Sequence, residues 1–103
     1  MMIEIEIKIY RNSQGNMTGY DIRGYHENCS SDIVCAGISK LAHTALKGIE
    51  QHLHRDVEYN IASGDLHVKL KSVPDKLTDA ILETMLIGMN EIQKCDPHRV
   101  SIQ

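Results

Sequence analysis

Ile3-Glu4-Ile5-Glu6-Ile7-Lys8-Ile9-Tyr10 alternates apolar and polar residues without a break. Strict period two places every isoleucine on one side of an extended chain, so this segment reads as a strand with one buried face. A sheet that opens in this way needs a cover for its apolar side, and the rest of the chain supplies one. Asn12-Ser13-Gln14-Gly15-Asn16 is a turn, and Met17 to Gly24 returns as the second strand of a hairpin. Residues 25–31 are polar and read as a loop. Ser30, Ser31 and Asp32 are all good helix caps. A helix is expected from about Asp32 to about His54, with Ser31 as its cap. Its apolar stripe is Ile38, Leu41, Ala42, Ala45, Leu46, Ile49 and Leu53.

Val57, Tyr59 and Ile61 alternate, Ser63-Gly64-Asp65 turns, and Leu66, Val68 and Leu70 alternate again, which gives a second hairpin. Ser72-Val73-Pro74-Asp75 opens a second helix, with Pro74 suited to its first turn. Leu77, Ile81, Met85, Gly88, Met89 and Ile92 trace its inner face. Asp96-Pro97 ends it, and Arg99 to Ile102 forms a last short strand. The expected order is β-β-α-β-β-α-β. Two helices cannot cover both faces of about five strands, so both are expected on one face of a mixed sheet. The expected class is α+β, a two-layer sandwich, with residues 1–103 as a single domain. The other face is then partly exposed or covered by a second copy of the chain.

The 103 residues include no Phe or Trp, so Ile, Leu, Val and Met must fill the core. The net charge of −3 and the absence of a long Lys/Arg run argue against direct nucleic-acid binding. No apolar run approaches the length of a membrane span, and the alternating start has no apolar signal-peptide core. Three cysteines suggest no disulfide framework, which fits a reducing cytoplasm.

The residues with chemical potential cluster between the second strand and the first helix. Cys35 falls in the first helical turn, near the buried edge. Unpaired N–H groups and the dipole there favour a thiolate. His26, in the loop before it, is a candidate base for a nucleophile–base pair. A buried apolar role for Cys35 and a solvated role for His26 are the simpler readings from the residues alone. Asp32 either orients the imidazole or simply occupies a favourable acidic position at a helix start. Cys29 is a spare thiol or a resolving partner for oxidised Cys35. His26-x-x-Cys29 and Cys95-x-x-His98 have zinc-ligand spacing, but most of the chain separates them, and no metal or other cofactor is expected. His43, His52, His54 and His67 suggest nothing specific.

The run Asp32-Ile33-Val34-Cys35-Ala36-Gly37-Ile38-Ser39-Lys40-Leu41 resembles the central motif of the Prp family, the ribosomal-processing cysteine proteases. The element order and length match that family as well. The resemblance implies a cytoplasmic, homodimeric cysteine endopeptidase. Its partner would be a ribosomal protein precursor, from which it removes the N-terminal extension of large-subunit ribosomal protein L27. It implies Cys35 as nucleophile, with Asp32, Ser39 and Gly24 as supporting motif residues. The family histidine directly follows the glycine, whereas here Tyr25 follows Gly24 and the histidine is His26. That displacement leaves open a second reading, an inactive ribosome-associated binding module on the same fold.

Overall fold

The computed structural model describes residues 4–24, 32–62 and 64–103. Strands β1 (Ile5–Arg11) and β2 (Met17–Arg23) are followed by helix α1 (Ile33–Lys47), strands β3 (Val57–Ala62) and β4 (Asp65–Leu70), helix α2 (Lys76–Cys95) and strand β5 (Val100–Ile102). The strands form one mixed sheet in the order β3-β4-β2-β1-β5. β1 and β2 pair antiparallel, as do β2 and β4 and β3 and β4. β5 runs parallel to β1 at the edge, with Ile5 opposite Val100 and Ile7 opposite Ile102.

Paired residues share a face of a sheet. Ile7 with Ile22, Ile22 with Leu66, and Tyr20 with Val68 therefore make one apolar layer. All five side chains are buried. Both helices cover that layer through Ile38, Ala42, Leu46 and Ile49 from the first helical segment and Leu82, Met85 and Met89 from α2. Tyr20 brings a hydroxyl into this core and donates it to the Ala42 carbonyl at 2.7 Å, which satisfies the one polar atom of an otherwise apolar side chain.

Several local expectations shift by a residue or a face. The cap of α1 is Asp32 rather than Ser31: it is extended (φ −112°, ψ 111°) and its carboxylate accepts from the N–H groups of Val34 and Cys35. The α-helix is shorter than the apolar stripe suggests. It passes into a π-helical segment over Gly48–His52, where the Leu53 N–H reaches the Gly48 carbonyl at 3.1 Å. The chain then leaves at His54 with φ 55°. In α2 the cap is Asp75, with a reciprocal bond between it and Thr78, so Pro74 lies just before the helix rather than in its first turn.

The stripe expected on the inner side of α2 divides between two neighbours. Met85 and Met89 are buried, with Thr78 and Leu82. Gly88 and Ile92 face α1, and Ile81 meets Gly48 at the start of the π-helical segment. A Cβ on Gly88 would come within 2.9 Å of a Leu41 methyl, and one on Gly37 within 2.9 Å of Ile92. Leu77 is exposed. A helix in this layer has two apolar neighbours, and the sequence period alone does not say which residue serves which. Similarly, Tyr59 and Ile61 share the apolar face of the sheet with Val68 and Leu66 but are about half exposed, at 48% and 52%, because the β3 edge extends past the helical cover.

Candidate active site at the amino end of helix α1

Cys35 is the third residue of α1, and its N–H donates to Asp32 Oδ1 at 3.4 Å. The residue is fully buried, deeper than the edge position expected from the helix phase. Its sulfur is disulfide-bonded in this structure, whereas Cys95 is free and exposed. Ser39 lies one turn further along α1, partly buried, on the same side of the helix as Cys35. His26 and Cys29 lie outside the described residues, as does the expected loop 25–31.

Asp32 is the most heavily engaged group at this corner. Oδ1 accepts from Val34 N at 3.1 Å and from Cys35 N, and the Asp32 carbonyl accepts from Ala36 N at 2.8 Å. Three N–H groups that would suit a developing oxyanion are thus already occupied, with Cys35 N the most loosely held. The same carboxylate takes a two-pronged contact from Arg99, Nη1 to Oδ1 at 3.2 Å and Nη2 to Oδ2. Arg99 Nε also donates to Glu4 Oε2 at 2.5 Å, and Asp96 stands 3.7 Å from Nη1. Hydrogen bonds to Asp32 first, and then to Glu4, raise the Arg99 pKa further above its ordinary value.

Gly24 reaches this corner through the backbone. It ends the β2 side of the hairpin with φ +93°, its N–H bonds the Gly64 carbonyl at 2.8 Å, and a Cβ there would sit 2.1 Å from the Glu4 carbonyl oxygen. Only glycine allows that approach. The Glu4 and Ile5 N–H groups in turn both bond the Arg99 carbonyl at 2.9 Å. Gly24, Glu4, Arg99, Asp32 and Cys35 therefore form a continuous chain of contacts. Sequence reading singled out the first and the last two. Arg99 it assigned only to a strand, because the parallel β1–β5 pairing is what brings residue 99 to residue 32.

A second polar group sits on the uncovered face of the sheet. Asp21, nearly buried, accepts from the Tyr10 hydroxyl at 2.5 Å and contacts His67 Nδ1. His67 is therefore more than the unremarkable strand residue the sequence suggested. Burial pushes the Asp21 carboxyl up, but the bonds from Tyr10 and His67 outweigh it, and the net shift is below the ordinary value of 3.8. A folded-state pKa below the unfolded one means that Asp21 contributes stability above the unfolded value. That contribution is lost as pH falls through the lower folded value. Urea titrations between pH 6 and pH 2.5 should show a steeper acid loss of stability in the native protein than in Asp21→Asn. Parallel curves would contradict the assignment.

No described helix is long and apolar enough to cross a membrane. Among the described residues, no group of three or more His, Cys, Asp or Glu side chains could hold a metal ion.

The ribosomal processing protease Prp of Staphylococcus aureus, solved with a substrate peptide, superposes with a TM-score of 0.86 at 22% identity, covering 96% of this chain and 97% of that one. A Streptococcus mutans protein gives 0.84 at 20% identity, covering 100% and 96%. The Staphylococcus aureus protease with a covalently linked product peptide gives 0.80 at 23%, covering 96% and 99%. At these identities the likeness establishes the shared α+β fold. No curated protein matches the sequence. The family model for cysteine protease Prp matches residues 2–101, nearly the whole length over which the fold and the Cys35 corner were built. This chain belongs to the Prp family of cysteine proteases.

Proposed function

We propose that the protein is a ribosomal-processing cysteine endopeptidase that removes the N-terminal extension from the precursor of ribosomal protein L27, with Cys35 as nucleophile and His26 as base. The observation that carries this reading is the position of Cys35 on the third helical residue beside its Asp32 cap, within a chain matched by the Prp model from residue 2 to residue 101. The Staphylococcus aureus protein of the same fold holds a substrate peptide in one structure and a covalently linked product peptide in another, which is the behaviour a nucleophilic thiol produces.

In this mechanism the reduced Cys35 sulfur attacks the scissile carbonyl and His26 accepts the thiol proton. His26 then returns the proton to the leaving amine, and water releases the acyl-enzyme. Asp32 fixes the helix start from which Cys35 projects, and Ser39 and Gly24 shape the surroundings. The sulfur is buried and disulfide-bonded in this structure. It must therefore be reduced and uncovered before it can attack. We further propose a cytoplasmic homodimer, as the family resemblance implies; a reducing compartment suits a thiol enzyme.

The buried, disulfide-bonded sulfur also favours the second reading, a binding module without catalysis. Incubating the purified protein with the full-length precursor, with and without dithiothreitol, separates the two. The protease reading expects loss of the extension only in the reduced sample, and His26→Ala should slow it by about 10²–10⁴-fold. Stable binding of intact precursor under reducing conditions, with no cleavage, would establish the binding module instead.

A further inference from the structure

We propose that Arg99 is a positioning residue for the Cys35 site: its guanidinium holds Asp32 in place as the helix cap and cancels the negative charge that Asp32 brings beside the thiol. The inference rests on Cys35 being the nucleophile, and it adds a residue from the far end of the chain to that site.

The argument starts from a conflict within the helix start. Asp32 is a good cap, because its Oδ1 accepts from both Val34 N and Cys35 N. The same carboxylate places its negative charge 3.4 Å from the Cys35 backbone nitrogen, on the residue that bears the thiol, and a neighbouring anion opposes ionisation of a thiol. A cap that presents Cys35 correctly therefore also suppresses the thiolate. Arg99 resolves the conflict geometrically. Its Nη1 and Nη2 both address Asp32, in the planar, paired arrangement that guanidinium forms with carboxylate. A lysine could supply the charge but not the paired contact.

Arg99 is itself tied down from several sides. Nε bonds Glu4 of the strand-β1 approach, Asp96 flanks Nη1 from the end of α2, and the Arg99 carbonyl accepts from Glu4 N and Ile5 N. The side chain is about three-quarters covered, at 27% exposure, so solvent screens the contact less than it would a free surface pair. Among the described residues, the charged groups joined at this corner include Asp32 from the cap of α1, Glu4 just before β1, Asp96 just after α2 and Arg99 before β5.

The test reads the ionisation of Cys35 directly. The iodoacetamide alkylation rate of Cys35 in the reduced protein, followed by mass spectrometry from pH 5 to pH 10, gives an apparent midpoint for each variant. Arg99→Gln should move that midpoint upward by about one pH unit and lower kcat about tenfold, with KM changed much less. Arg99→Lys should recover part of the shift. Asp32→Asn keeps a cap residue while removing the carboxylate, and should move the midpoint in the opposite direction. Asp32→Asn combined with Arg99→Gln should return it toward the native value, a reversal that loss of packing would not produce.

An Arg99→Gln protein that keeps its circular dichroism, with the native midpoint and native kcat, would overturn the proposal. Should Arg99→Gln fail to fold, Asp32→Asn and Arg99→Lys still decide it, since an unchanged midpoint in both would overturn it equally. Failure of the nucleophile reading shows separately, as cleavage that persists when Cys35 is replaced.

Discussion

Cys35→Ala should cleave no detectable precursor under reducing conditions, a loss of at least about 10³-fold in rate. The size follows from the role. A positioned base and backbone donors can assist attack, but without the sulfur no acyl-enzyme forms. The fold should survive. In the reduced protein the substitution removes one small buried atom from the amino end of α1 and costs about 1 kcal/mol, which lowers the melting temperature by roughly 5 °C for a chain of this size. A cleavage assay on a peptide spanning the extension junction, with circular dichroism on the same preparation, checks both halves. Cleavage by the well-folded variant at a rate within tenfold of native would show that another group attacks.

Gly24→Ala should have the largest effect on the fold itself. Its Cβ would enter at 2.1 Å from the Glu4 carbonyl oxygen, and its φ of +93° is one that L side chains rarely adopt. Either problem alone costs roughly 1–3 kcal/mol. The clash is with backbone rather than with a side-chain tip, so rotamer changes cannot relieve it. A loss of at least about 2 kcal/mol in urea unfolding is expected. Activity should fall further than stability alone explains. Glu4 is the residue displaced, and its carboxylate and N–H both hold Arg99, which in turn holds the Asp32 cap. By contrast Gly15, with φ +85° and nothing within 4 Å of an added Cβ, should tolerate alanine with only the conformational cost. Equal losses at Gly15 and Gly24 would contradict the role of the close approach to Glu4.

Much of the architecture is legible in the sequence because the strands and helices carry different periods. The isoleucines of β1 leave no choice of face, and the alternation in β4 appears as Leu66, Val68 and Leu70, all buried. Of the stripe expected on the first helical segment, Ile38, Ala42, Ala45, Leu46 and Ile49 are buried, whereas Leu41 and Leu53 are only partly so. In α2 the same reasoning blurs, because Gly88 and Ile92 meet α1 while Leu82, Met85 and Met89 lie in the buried core. The apolar arc is wide, and only the helix pair divides it. At Tyr59 and Ile61 the period is right but burial is incomplete, because the lateral reach of the helical cover is not encoded in the strand.

The sequence by itself determined the secondary elements, their order, the apolar faces and the presence of a cysteine in the first turn of a helix. These depend on neighbours within about four residues, where covalent geometry and local hydrogen bonding dominate. Only the tertiary structure decided that Arg99 meets Asp32 across 67 positions, that His67 meets Asp21 across 46, and that Cys35 is sealed into the core. Such contacts follow from strand register and the parallel placement of β5 beside β1. Register is settled by the packing of the whole sheet against both helices, a collective quantity that no local window of residues contains.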